Sequence, residues 1–133
     1  MKVVLGVAVA LLVALGVGWV WGAAGKAAID RDRMKLEQRA DYESGRAAVF
    51  EGRVALFQSN FGDASAHFER ARIALEKLQL ELREVGEAER AGRIEIALSN
   101  LKDAVRRANQ LDVSAQNAAV AALQALNALG YSQ

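Results

Sequence analysis

The chain of 133 residues contains no cysteine, no proline and a single histidine. Without cysteine there is neither a disulfide nor a thiolate site. Without proline, and with much Ala, Leu, Glu and Arg, long helices are favoured, and no strand-like alternation between turn residues appears. The formal net charge is only +1, with the two signs interleaved, which argues against a nucleic-acid surface. These features predict an all-α protein with no nucleic-acid partner.

The single histidine, His67, leaves little room for enzyme chemistry. Asp63 lies four residues before it, so two ligands can share one helix face, but a zinc site usually needs three or four. No serine has a histidine–acid pair of its own, and no glycine-rich phosphate loop with a lysine is present. We expect a solvated surface histidine and a protein that is not an enzyme, with no catalytic, cofactor-binding or metal-binding residues.

Residues 3–22 form a long apolar run in which 20 consecutive residues carry no charge. At about 1.5 Å per residue, such a helix crosses a hydrocarbon core of roughly 30 Å. Trp19 and Trp21 lie at its end, where amphipathic rings settle at the level of the lipid headgroups. The sequence predicts a transmembrane anchor over residues 1–25 and a soluble helical domain over residues 26–133. The alternative is a cleaved signal peptide, whose apolar region is normally shorter, about 7–15 residues.

Small residues recur every four positions along one face of this run. They are Gly6, Ala10, Ala14, Gly18 and Gly22. Small residues at this spacing let helix backbones approach closely in lipid, where association depends on packing. The face therefore predicts docking against helices of an integral membrane protein, although Gly and Ala are common throughout the segment and produce such a row without any partner.

The charges around the run leave its orientation open. Lys2 precedes it, and five basic residues between Lys26 and Arg39 follow it, so a literal positive-inside count predicts a cytoplasmic domain. A short Met-Lys start before one apolar run is, in contrast, typical of chains whose C-terminal domain is exported. We expect a bacterial inner membrane with the domain on the periplasmic side.

The first soluble helix is predicted over about residues 27–59, continuous with the anchor as a stalk that enters a bundle. Gly45 and Gly52 are its only breakers, each costing up to about 1 kcal/mol relative to Ala. Residues spaced alternately by four and three predict the buried seam. This seam consists of Ile29, Arg33, Leu36, Ala40, Glu43, Ala47, Phe50, Val54 and Phe57.

Two further helices are predicted over about 63–85 and 87–110. Gly62 is expected to turn the chain with a positive φ and Asp63 to cap the next helix, and Gly86 ends that helix. Both helices carry four–three apolar seams, which imply an antiparallel hairpin with the first soluble helix as a third member. We expect these side chains to be largely buried: Phe68, Leu75, Leu78, Leu82, Leu98, Leu101 and Val105.

The fourth helix is predicted over about 113–129, capped by Asp112 or Ser114 and ended by Gly130. It carries no charge and is apolar over most of its circumference, as is normal for a helix covered on several sides. One interpretation is that it packs across the bundle. The other is that a partner protein or the membrane surface covers part of it, with these candidate partner residues: Val113, Val120, Leu123, Leu126 and Leu129.

Phe61, Ala64, Phe68 and Ala71 reproduce the spacing of the second helix of a tetratricopeptide repeat, and Gly52 stands where that motif's first helix has its glycine. A shift of 33 residues gives Ile94, Ala97, Leu101 and Ala104, close to the family's 34-residue period. Over about residues 45–108 the chain thus resembles a tetratricopeptide-like helical hairpin. Leu78 to Arg90 lacks the first-helix signature and no proline closes either repeat. The resemblance implies a helical protein that contacts other proteins.

Two functions agree with these patterns. The first is a non-catalytic, single-pass membrane-anchored accessory or scaffold subunit of a larger membrane protein complex. Its anchor would pack against membrane helices and its domain would brace or recruit a soluble protein partner. The alternative is a free-standing, tetratricopeptide-like adaptor, anchored in the membrane, that binds a peptide or a soluble partner.

Overall fold

The computed structural model describes the backbone of residues 2–131 and the side chains of residues 25–131. This part of the chain is helical, with four helices and no strand. The helices are α1 (Lys2–Phe57), α2 (Phe61–Glu84), α3 (Ala88–Asn109) and α4 (Ala115–Asn127). The all-α fold class is confirmed, and the last three helices lie within two residues of their predicted limits at each end.

The chain divides into two compact units, Met1–Leu36 and Glu37–Gln133. The second unit contains the end of α1 together with α2, α3 and α4, and we refer to it as the bundle. Ile29 and Leu36, which precede the bundle, are each 69% exposed, whereas burial starts at Gln38.

Contacts between neighbouring helices define the bundle's topology. Lys77 Nζ on α2 lies 2.7 Å from Asp41 Oδ2 on α1, and Arg83 Nη2 on α2 lies 3.1 Å from Glu95 Oε2 on α3. Arg107 on α3 reaches Ser114 Oγ, at the start of α4, with Nη1 at 2.6 Å.

The fourth helix returns to the first. The Tyr42 hydroxyl on α1 donates a hydrogen bond to the Leu126 carbonyl on α4, at 3.3 Å. Each helix therefore runs antiparallel to the next, and α4 closes a four-helix bundle against α1.

The core between α2 and α3 follows the predicted seams. Six of the seven side chains expected to be buried are at most 6% exposed, and the seventh, Val105, is half-buried against the core. The confirmed six are Phe68, Leu75, Leu78, Leu82, Leu98 and Leu101. These seams were predictable because leucine and isoleucine repeat at heptad spacing with charged residues between them.

The predicted seam of α1 is wrong, because that row of residues faces solvent. Phe50, Val54 and Phe57 are 42%, 54% and 75% exposed, and Ala40, Glu43 and Ala47 are exposed as well. A different row is buried with the same four–three spacing, and we call it the inner face. The inner face consists of Gln38, Tyr42, Gly45, Val49, Gly52 and Leu56.

The two glycines of the inner face explain this choice. A methyl group placed on Gly52 would lie 2.5 Å from Cε1 of Phe68, and one placed on Gly45 would lie 2.8 Å from Cγ of Leu75. Phe68 and Leu75 are fully buried in a close-packed core. The glycines therefore let α1 approach α2 closely enough to bury these two large side chains, and they are packing positions rather than breakers.

The turns lie where they were predicted, but the turn between α1 and α2 uses other residues than expected. Ser59 takes the positive φ of 57°, and the side chain of Asn60 caps α2 by accepting a hydrogen bond from the Asp63 amide at 3.2 Å. Gly62 lies inside α2, so the roles predicted for Gly62 and Asp63 are corrected. Gly86 and Gly130, which were predicted to end their helices, have positive φ values of 80° and 74°.

Candidate partner-binding ridge on α1

The end of α1 carries a row of exposed apolar residues. Ala47, Phe50, Val54 and Phe57 are spaced by three, four and three residues, and we call them the outer ridge. Because the inner face turns Val49, Gly52 and Leu56 into the core, helix geometry turns the outer ridge away from it. A stripe of large apolar side chains in water is unfavourable unless another surface covers it, so the outer ridge is the candidate site.

Shallow grooves run along both sides of the outer ridge. The groove on the α4 side has a volume of about 300 Å³, and Leu56, Phe57, Val113 and Gln116 line it. The groove on the α2 side has a volume of about 350 Å³. Its lining consists of Phe50, Glu51, Val54, Ala55, Gln58, Asp63 and His67. A ridge between two grooves matches the surface relief by which helices pack on one another.

Charged side chains border the outer ridge. The Arg46 guanidinium lies 5.5 Å from the centre of the Phe50 ring, and its nearest carboxylate contact is with Glu43, at 3.9 Å. Glu51 lies on the opposite border, where its Oε2 is 2.9 Å from His67 Nδ1 and 3.5 Å from Arg70 Nη1. The site therefore offers an apolar centre between a basic border and an acidic one.

The environment of His67 differs from the expected one. Its carboxylate neighbour is Glu51 on α1 rather than Asp63, and its side chain is only 23% exposed. Its side chain therefore lies between α1 and α2 rather than free in solvent. Among the described residues no group of three or more His, Cys, Asp or Glu side chains is arranged to hold a metal ion.

The predicted partner surface on α4 is largely part of the core. Leu123, Leu126 and Leu129 are at most 7% exposed, and Val120 is half-buried. Only Val113, which precedes α4, is exposed, at 73%. The prediction for the three leucines is corrected: α4 is apolar over most of its circumference because it contacts both α1 and α3.

The residues predicted for the membrane lie outside the side chains that the structure describes. These are the small face Gly6, Ala10, Ala14, Gly18 and Gly22 and the interfacial anchors Trp19 and Trp21. From residue 25 to residue 131, no helix is both long enough and apolar enough to span a bilayer.

In the region that resembles a tetratricopeptide repeat, Gly52 packs directly on Phe68, and Ala64 and Ala71 are fully buried. The second half of this region differs from the repeat, because α2 continues without a break to Glu84 and no separate helix spans Leu78 to Arg90. The helix pairs therefore do not repeat every 33 residues.

Sequence reasoning missed the outer ridge as a surface, although it named every residue in it. The available signal was the pair Gly45 and Gly52, which share one stripe with Tyr42 and Val49. Glycines seven residues apart within a helix mark a close approach of another element.

Comparison with protein-family models, curated proteins and solved structures gives no match.

Proposed function

We propose that this chain is a non-catalytic, single-pass membrane-anchored accessory or scaffold subunit of a larger membrane protein complex, and that the outer ridge is its protein-contact surface. The observation that carries the proposal is the exposure of Phe50, Val54 and Phe57 as one continuous stripe. Each is 42% or more exposed, although twenty-five other apolar side chains among the described residues are packed into the core. Such a stripe supports a contact made by helix packing rather than a catalytic cleft.

The ridge with a groove on each side favours a helical partner. An amphipathic helix of a partner chain can place its side chains in the groove between α1 and α4 or in the groove between α1 and α2. Phe50 and Phe57 would then fill spaces between the partner's side chains, and large aromatic residues are enriched at such contacts. The charged borders at Arg46 and Glu51 would orient the partner.

The membrane half of the proposal rests on the sequence of residues 3–22. Twenty uncharged residues suit a helix that crosses a bilayer, and the Gly6 to Gly22 face suits close packing against a helix of an integral membrane protein. The proposal puts the bundle on the periplasmic side of a bacterial inner membrane. In this arrangement the anchor holds the chain in its complex, while the outer ridge contacts a part of that complex outside the membrane.

Co-purification tests the role of the outer ridge. Full-length chain with one affinity tag is produced together with a full-length copy that carries a different tag, and is extracted from its native membranes with mild detergent. The accompanying proteins, including the differently tagged copy, are identified by mass spectrometry. Val54→Lys and Phe57→Lys should lose a partner that the unmodified chain retains, because a lysine at either position places a charge within the apolar stripe.

Ile73→Lys is the matched control. Ile73 is an apolar side chain on α2 that is 59% exposed, close to the 54% of Val54. This variant should retain the partner. An unchanged set of accompanying proteins for both ridge variants would refute the role of the outer ridge.

Membrane insertion is tested separately. Ala14→Arg should reduce recovery of the chain in the membrane fraction, because a central arginine costs about 2.5–3.5 kcal/mol on insertion scales. Lys2→Arg, which keeps the charge before the apolar run, is the control. Recovery of Ala14→Arg in membranes at the unmodified level, resistant to carbonate extraction, would contradict the span.

A further inference from the structure

We propose that the outer ridge pairs with the outer ridge of a second copy of this chain, in a parallel and in-register arrangement of two α1 helices. The inference deepens the proposed function and rests on it, since it names the partner of the same surface. Two features of the described residues carry it, the spacing of the ridge and the charges at its borders, and the length of the ridge limits the strength of the pairing.

The spacing is that of a two-stranded coiled coil. Ala47 and Val54 take the a positions and Phe50 and Phe57 the d positions of consecutive heptads. The residues that α1 turns towards its own bundle, including Val49 and Gly52, fall on the opposite side of this heptad. One helix thus carries two seams, and the bundle covers only one of them. In a parallel pair each ridge residue would meet its own copy.

The charges favour the parallel orientation. Arg46 precedes Ala47 and occupies a g position, and Glu51 follows Phe50 and occupies an e position. In a parallel pair the g position of one helix faces the following e position of the other, so Arg46 of each copy lies opposite Glu51 of its partner. The Glu51 side chain is 53% exposed and that of Arg46 32%, so both have surface free for such a contact.

The antiparallel orientation is disfavoured. With all four ridge residues kept in contact, it places Glu51 beside Glu51 and Arg53 beside Arg53. Like charges at such positions repel, whereas the parallel pair brings opposite charges together.

The length sets where pairing begins and how strong it is. Glu43 occupies the preceding d position and would meet its own copy, so the paired segment starts at Ala47 and ends with α1 at Phe57. About three turns bury less surface than a stable soluble dimer requires. Two chains anchored in one bilayer have a much higher effective concentration, so the pairing belongs to the membrane-anchored protein.

The absence of cysteine provides a direct test. Ala47→Cys and Val54→Cys each introduce the only thiol of the chain, and a parallel in-register pair brings each thiol to its own copy within disulfide range. The full chain is reconstituted in lipid vesicles and oxidised mildly, and covalent dimer is measured on a non-reducing gel. Ile73→Cys, on the outer side of α2, is the matched control. We expect several-fold more dimer at positions 47 and 54 than at position 73.

A charge exchange tests the orientation in the same assay. Arg46→Glu in the Val54→Cys background should lower the dimer yield several-fold, and adding Glu51→Arg should restore most of it. Dimer yields at 47 and 54 no higher than at 73 would overturn self-pairing, as would an Arg46→Glu variant with undiminished yield. A different result would refute the proposed function, namely a set of co-purifying proteins that Val54→Lys leaves unchanged. A partner lost from Val54→Lys together with no specific dimer would assign the ridge to a different protein.

Discussion

The inner face and the outer ridge of α1 have the same four–three spacing and opposite contents. The inner face carries Gly45 and Gly52 at its centre, whereas the outer ridge carries Phe50 and Phe57. Hydrophobicity alone would bury the phenylalanines, yet the structure buries the glycines and leaves Phe57 75% exposed. The difference shows that fit to the neighbouring helix decided which side of α1 turned inward, because large side chains on α2 already fill the space.

The comparison also separates what a residue contributes to folding from what it can contribute to binding. A side chain on the inner face is buried, so changing it alters the stability of the bundle. A side chain on the outer ridge has its apolar surface still in water, so changing it should alter only what the bundle contacts. Substitutions of the same kind on the two sides therefore test the assignment.

The largest effect is expected from a charge on the inner face. Val49 is fully buried, and Val49→Lys would place an unpaired ammonium group in the core. The expected cost is about 3–5 kcal/mol of unfolding free energy, the range found for an uncompensated buried charge. Chemical unfolding of the full chain in detergent, followed by circular dichroism, measures it. A midpoint equal to that of the unmodified chain would mean that this face is not enclosed.

A smaller effect is expected from adding a methyl group where α1 lies closest to α2. Gly52→Ala places a methyl group 2.5 Å from the Phe68 ring. Overpacking of this kind costs about 1–3 kcal/mol, of which helix propensity returns up to about 1 kcal/mol. The same unfolding assay should show a net loss of stability.

Gly92→Ala is the matched control for that substitution. Gly92 lies within α3, and an added methyl group meets nothing within 4 Å. This variant should gain up to about 1 kcal/mol from helix propensity alone. Opposite signs for the two glycines would confirm the close approach, and a gain at both positions would contradict it.

The glycines also mark the limit of what the sequence could predict. The seams of α2 and α3 were recognisable because large apolar residues such as Leu78 and Leu101 alternate with charged ones, so only one stripe could be buried. In α1 two stripes had the same spacing, and the choice between them depended on the shape of Phe68 and Leu75 across the interface. That shape is a tertiary property, which periodicity within one helix does not contain.

The same limit applies to α4 and to the candidate site. An uncharged helix was predictable at that place, but its apolar circumference suited both a buried helix and a partner surface. Contacts such as that of Tyr42 with the Leu126 carbonyl show that α1 and α3 cover its leucines. The residues of the outer ridge were recognised together as one stripe, and only the packing of the other stripe showed that they face outward.

A modest, pH-dependent effect is expected from the tyrosine of the inner face. Tyr42→Phe removes the hydrogen bond from the Tyr42 hydroxyl to the Leu126 carbonyl and should cost about 0.5–1.5 kcal/mol at neutral pH. Burial raises the pKa of Tyr42, as it does that of Tyr131, whose ring centre lies 4.7 Å from the Tyr42 ring.

The sign of the pH dependence comes from the raised pKa. The folded state favours the neutral phenol, so its contribution to stability is fully present below the unfolded pKa of about 10 and is lost as the pH rises through the folded pKa. The cost of Tyr42→Phe should therefore shrink above about pH 10, where the unmodified chain loses stability that the variant no longer has to lose. Unfolding curves at pH 7, 9 and 11 measure this, and a cost that stays constant would contradict the enclosed position of Tyr42.

The smallest effect on stability is expected on the outer ridge. Val54 is 54% exposed, and the long side chain of a lysine at this position can extend into water, so Val54→Lys should change the unfolding free energy by no more than about 0.5 kcal/mol. It carries the same added charge as Val49→Lys, five residues earlier on the same helix, and the two differ in the side of α1 that they occupy. Equal destabilisation by both would mean that the outer ridge is itself enclosed. A stable Val54→Lys chain provides the folded protein that a binding experiment requires. Any contact that it loses is then lost because the surface has changed and not because the bundle has unfolded.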